Sequence, residues 1–139
     1  MSPVTVIQPE IIREVWTIPV LTSTTTTIKI GVDIENKGRH HDGQLLLTSF
    51  YSVAIPDTIL VIDNTTVDLF EVLTAEELKR VEFIAHNATH EGKWFHRFGF
   101  LPFKFHCTMV RDQVLTAGVD HLSYSLVETC IRRRIDMPT

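Results

Sequence analysis

Residues 27–35, TIKIGVDIE, alternate without a break, and that alternation constrains the fold more than any other feature of the chain. Ile28, Ile30, Val32 and Ile34 share one face, while Thr27, Lys29, Asp33 and Glu35 share the other. Side chains on an extended chain point alternately to opposite faces, so this is a strand with one buried and one wet side. A second run, QLLLTSFYSVAI, repeats the pattern with Leu45, Leu47, Tyr51, Val53 and Ile55. Between the two lies NKGRHHDGQ, a polar loop longer than a tight turn needs, so the pair reads as a long hairpin.

The same reading extends along the chain. REVWTIPV, TILVID, FKFHCTMV and HLSYSLVETCIRR all read as strands, and the threonine run at 22–27 suits a strand entry. One helix is expected, over about residues 75–91 of LTAEELKRVEFIAHNATHEG. Thr74 and Glu77 form a capping box, and Gly92 stands where a helix stops. Strands, then a helix, then strands give no βαβ alternation. The expected fold is mainly β (α+β): an antiparallel sandwich or barrel of about seven to nine strands with one flanking helix. The length of 139 residues suits one domain spanning 1–139, with an extended N-terminal arm over about 1–10 and a short tail over about 134–139.

Charge and composition exclude some functions. With a net charge of −4 the chain lacks the basic surplus that phosphate binding calls for, so nucleic acid is not an expected partner. The one basic run, Arg132-Arg133-Arg134, reads as a solvated or partner-facing end. No apolar stretch reaches membrane-span length, and the N-terminus carries no secretory pattern. The expected location is therefore cytoplasmic or within a particle. Cys107 and Cys130 read as buried thiols rather than a disulfide, and the sequons at Asn64 and Asn87 as chance.

The histidines are the main chemical signal. Four of seven fall within residues 86–107, beside an aromatic run, WFHRFGFLPFKF, that alternates as a core strand would. On the expected helix, Leu78, Val81, Ile84, Ala85 and Ala88 form the core stripe, while Phe83, His86 and His90 share another. Imidazoles four apart on a helix can converge on zinc or iron, with Glu91, His96 or the loop pair His40 and His41 supplying a third ligand. Yet Asn87 stands where a zinc-hydrolase helix carries its glutamate, so that motif fails. A phenylalanine on the outer stripe instead suggests a contact surface of Phe83, His86, His90, His40 and His41. Glycine-rich phosphate loops, C-x-x-C and G-x-S-x-G are absent, and the only paired carboxylates noted are Glu76 and Glu77, which the helix cap explains.

These features favour a non-enzymatic assembly subunit, self-associating or docked in a larger particle such as a viral or phage tail, neck or capsid. Two alternatives stand beside it. One is a small metal-dependent enzyme built on His86 and His90. The other is a β-barrel binding a hydrophobic ligand along its aromatic strand.

Overall fold

The computed structural model describes residues 8–119 and 122–136. The chain opens with a helical stretch: α1 (Pro9–Ile12), a π-helical turn (Arg13–Thr17) and α2 (Ile18–Thr22). REVWTIPV is therefore helical rather than a strand. Ile12, Trp16 and Val20, each four residues apart, are all buried, which is a helix period. Pro19 cannot donate to a carbonyl four residues back, and the wider π turn just before it absorbs that loss.

The hairpin follows as expected: β1 (Ile28–Lys37) pairs antiparallel with β2 (Gln44–Tyr51), and β2 with β3 (Ile59–Asp63). After two short helices, α3 (Leu69–Val72) and α4 (Ala75–Leu78), the expected long helix fails to form. The capping box at Thr74 and Glu77 is present, but it starts a single turn. The chain then enters β4 (Val81–Ala85), which lies parallel to β1 in mid-sheet. Burial decides this. Val81 and Phe83 are fully buried, and sequestering such a side chain is worth about 1.5–3 kcal/mol. Helix propensity offers only a few tenths of a kcal/mol per residue.

Helix α5 (Ala88–Phe98) then crosses to β5 (Lys104–Cys107), parallel to β4, supplying the connection that parallel neighbours require. Gly99, with φ 70°, terminates α5 in the left-handed conformation, while Gly92 sits inside it. Of the last two expected strands, FKFHCTMV does supply β5 before passing into α6 (Thr108–Leu115), whereas HLSYSLVETCIRR carries α7 (Leu126–Arg132) instead. Ser125 caps α7 by accepting from the Glu128 N–H.

The sheet is thus a single open mixed sheet of five strands in the order β3-β2-β1-β4-β5. The sandwich or barrel of about seven to nine antiparallel strands is corrected by this topology, and a hydrophobic-ligand barrel falls with it. Phe83 lies at the centre of the core, with ring centroids 5.6 Å from Phe50, 5.5 Å from Phe95 and 6.0 Å from Phe100. Trp16 extends that stack from the N-terminal helix, 5.9 Å from Phe50. The helix is also held by Arg13, which forks onto Glu77 at 2.8 and 2.9 Å and donates to the Val72 carbonyl.

Near the C-terminus the basic run is exposed at Arg133 and Arg134, yet two of its three arginines reach back to an acid. Arg132 and Arg133 both clamp the buried Asp112 carboxylate, which also accepts from Thr129 at 3.0 Å. Both cysteines are free thiols. Of the expected arm, residues 1–7 lie outside the described residues, and Pro9 already begins α1; of the tail, 137–139 lie outside. Among the described residues no helix is long and apolar enough to cross a membrane.

Candidate active site

Two parallel strands at the middle of the sheet, β1 and β4, send their chains in opposite directions. The last β1–β4 pair is Gly31↔Ile84, and β1 runs on beyond it into the hairpin toward β2. β4 ends at Ala85, and its chain turns toward β5 through α5. Such a divergence opens a crevice beyond the carboxyl ends of the strands, where open α/β sheets place their ligands.

Three carboxylates stand on the elements that border this crevice. Asp33 and Glu35 stand on the exposed face of β1, two residues apart and therefore on the same side. The third arrives through a backbone device. Asn87 takes the left-handed conformation at φ 67°, a place asparagine tolerates better than most residues, and so starts α5 directly after β4. Glu91 then falls in the first turn of α5, 3% exposed, with its Oε2 buried and lacking any hydrogen-bond partner. Burial pushes its carboxyl up to about 7, and the negative charge of Asp33 across the crevice adds to the effect. A buried glutamate without a partner is costly to the fold, and a carboxyl raised this far is a candidate for a functional group.

The adjoining cleft, of about 440 Å3, runs over the exposed face of the sheet past Asp33, Ser49, Tyr51, His86 and Thr108. All three acids offer oxygen, the donor suited to hard divalent cations. Among the described residues no three His, Cys, Asp or Glu side chains close into a metal cage.

The histidines are dispersed. His86 follows β4 and uses both ring nitrogens within the fold, Nε2 to the Tyr124 carbonyl at 2.6 Å and Nδ1 to the Thr108 hydroxyl at 2.9 Å. A carbonyl only accepts, so Nε2 carries the proton. His90 lies on α5 with Nε2 3.1 Å from Asn36 Oδ1. The two do not share a helix face, because the helix that would have aligned them is a strand as far as Ala85. His40 and His41 sit at the hairpin tip, edge to face at 5.1 Å. Phe83, expected at a contact surface, is completely buried and unavailable to a partner. His106 pairs with Glu82 at 2.8 Å and accepts from Arg111, while His121 lies outside the described residues. Arg97 stacks on Trp94 and Phe98, as aromatic neighbours in the sequence suggest.

The sequence alone offers Glu91 only as a third ligand beside the histidines, and Asp33 and Glu35 not at all as site residues. Asp33-x-Glu35 was a legible signal, a spacing that puts two acids on one strand face, but it passed as ordinary wet-face chemistry. Nothing local pairs Glu91 with Asp33, since only the β4–α5 turn brings it to β1.

No family model matches the sequence, and no curated protein matches it. Solved structures do. Brucella melitensis NrnC superposes with a TM-score of 0.62 at 19% identity, over 86% of this chain and 59% of NrnC. NrnC bound to pGG gives 0.61 at 18%, over 84% and 58%, and NrnC with bound Mg2+ gives 0.61 at 18%, over 84% and 59%. Escherichia coli RNase D, an exoribonuclease involved in structured RNA processing, gives 0.58 at 18%, over 90% of this chain and 29% of that one. The chain thus spans about three-fifths of NrnC. It shares its fold with nucleases, not with viral structural proteins. That fold corrects both the assembly-subunit expectation and the expectation that nucleic acid is no partner.

Proposed function

We propose that this chain carries the carboxylate centre of a magnesium-dependent nuclease that hydrolyses phosphodiester bonds of RNA. The observation that carries this reading is the buried, unpartnered Glu91 oxygen facing Asp33 at the strand divergence. A divalent cation is the ligand that would satisfy it. The fold is that of NrnC and RNase D, and NrnC is known with Mg2+ and with pGG.

Asp33, Glu35 and Glu91 would hold the cation. Magnesium usually keeps several waters and takes one or two carboxylates plus substrate phosphate, so no closed protein cage is needed. When bound, the ion supplies Lewis acidity and charge neutralisation at the scissile phosphate. The residues themselves set the conditions. Asp33 and Glu35 present negative charge on a rigid central strand, which positions them better than a loop would. With its carboxyl pushed up to about 7, Glu91 is only about half ionised at neutral pH, so cation binding is accompanied by proton release. Tyr51 and His86 border the same cleft as Asp33, where a substrate strand would lie.

Incubating the purified protein with 5′-labelled oligoribonucleotide or pGG and MgCl2 tests the reading. The expected result is hydrolysis that ends on chelation and in Asp33→Asn, together with calorimetric Mn2+ binding that Asp33→Asn weakens at least tenfold. Mn2+ binding unchanged by Asp33→Asn, with no hydrolysis in the wild type, defeats it.

A further inference from the structure

Beside the carboxylates, the hairpin tip and the outer face of α5 enclose two clefts of about 510 and 390 Å3 that share His40, Thr89 and Lys93. Although the chain carries a net charge of −4, this corner is basic: Arg39, His40, His41, His90, Lys93 and His96 line it. The one carboxylate of the tip, Asp42, is engaged by Arg39 at 2.8 Å and lies 3.9 Å from His41. Lys93 is exposed and has no ionic partner among the described residues.

The local field is positive as judged at His40. Its basicity is lowered, by desolvation first and then by the charges of His41, Lys93 and Arg97, against the opposing pull of Asp42. An anion in the cleft relieves that repulsion.

The corner is also pre-formed. Arg97 donates to the Gly43 carbonyl at 2.6 Å and to that of His40 at 3.3 Å, while its guanidinium lies over Trp94 and Phe98. The tip is thereby fastened to α5, and its basic groups need little ordering when a ligand binds. Continuity with the carboxylates is direct. Asn36 follows Glu35 and holds His90, which precedes Glu91, so the cleft begins where the acids end.

We propose that this cleft binds the phosphate backbone of the RNA strand whose scissile phosphodiester lies at Asp33, Glu35 and Glu91, with Lys93, His40 and His96 as its phosphate contacts. The assignment rests on the nuclease reading for the identity of the strand. It makes the β1–β2 tip a length-sensing surface: an oligonucleotide spans both regions, whereas pGG reaches the carboxylates alone.

Fluorescence anisotropy in EDTA with a labelled RNA of about 12 nucleotides tests it, using wild type, Lys93→Glu and the double variant His40→Ala/His96→Ala. In low salt Lys93→Glu should weaken binding about tenfold, and each lost phosphate contact should flatten the log K against log salt slope by about 0.7. The double variant should likewise bind the RNA more weakly than wild type in the same buffer. Binding or hydrolysis of pGG should be unchanged in both variants. Wild-type affinity for the RNA that Lys93→Glu leaves intact overturns the proposal, as does equal affinity for polyglutamate of matched charge. The two readings fail separately. Lys93-dependent RNA binding without magnesium-dependent hydrolysis sinks the nuclease and keeps the surface. Asp33-dependent hydrolysis with Lys93→Glu indistinguishable from wild type does the reverse.

Discussion

Replacing Glu91 by glutamine separates its charge from its shape. In an unfolded chain this carboxyl titrates near its usual 4.5, whereas burial and Asp33 push it up to about 7 in the folded protein. The folded state therefore binds the proton more tightly. Below pH 4.5 both states are protonated and the group contributes nothing to the pH dependence. As pH rises from 4.5 to 7, the unfolded chain releases its proton first and stability falls; above 7 the loss is complete. A shift of that size corresponds to about 3 kcal/mol, and screening by solvent at the crevice mouth reduces it to about 2 kcal/mol. Glutamine carries no charge at any of these pH values. Glu91→Gln should therefore be close to wild type in stability at pH 4.5, and more stable by about 2 kcal/mol at pH 8. Urea unfolding at the two pH values, read by tryptophan fluorescence, measures the difference directly, because Trp94 is buried on the same helix. Adding Mg2+ at pH 8 should stabilise wild type more than the variant, since only the carboxylate gains from a cation. An identical stability difference at both pH values refutes the reasoning, because it would mean that Glu91 is not buried as an acid beside Asp33.

Three further outcomes follow from the packing and the backbone. Phe83→Ala empties the centre of the aromatic stack and should cost about 3–5 kcal/mol in urea unfolding; a surface residue in a contact patch would cost almost nothing. Asn87→Ala forces a left-handed conformation on alanine and should cost about 1–2 kcal/mol, while Asn87→Gly should cost less, as thermal unfolding of the pair will show. Asp112→Ala strips both arginines of their shared carboxylate and should release α7 to limited proteolysis. The Asp112 carboxyl is held well below the usual carboxylate range by Arg132, so this contribution is present above pH 4 and fails only in strong acid.

Sheet residues with a local period were partly legible. Ile28, Ile30, Val32 and Ile34 are buried as their alternation demands, the two strands do pair as a hairpin, and Thr74 with Glu77 does build a capping box. The second strand ends at Tyr51 and turns its faces the other way: Thr48 and Phe50 lie opposite Ile34 and Val32 in the core, while Leu47, Tyr51 and Val53 are exposed. The aromatic run was sorted less well. Phe95 and Phe100 are buried, but Phe95 lies on a helix and Phe103 is 61% exposed. Stretches whose apolar residues satisfy two periods were misread. Val81, Phe83 and Ala85 alternate, yet Leu78, Val81, Ala85 and Ala88 also trace a helical stripe, and a capping box ahead of them tilts the choice toward helix. The reverse error befell Ile12, Trp16 and Val20, where β-branched neighbours and a proline masked a spacing of four.

What the amino-acid order alone determined was the hairpin, the buried face of its first strand and the positions of two acids on the wet one, because side-chain alternation and turn chemistry act within a few residues. The tertiary structure decided the rest. Whether residues 81–85 become strand or helix depends on the open edge of β1 beside them, a partner some fifty positions away in the chain. That parallel pairing creates the divergence at which Glu91 meets Asp33, and a long-range contact of that kind leaves no periodic trace in either segment.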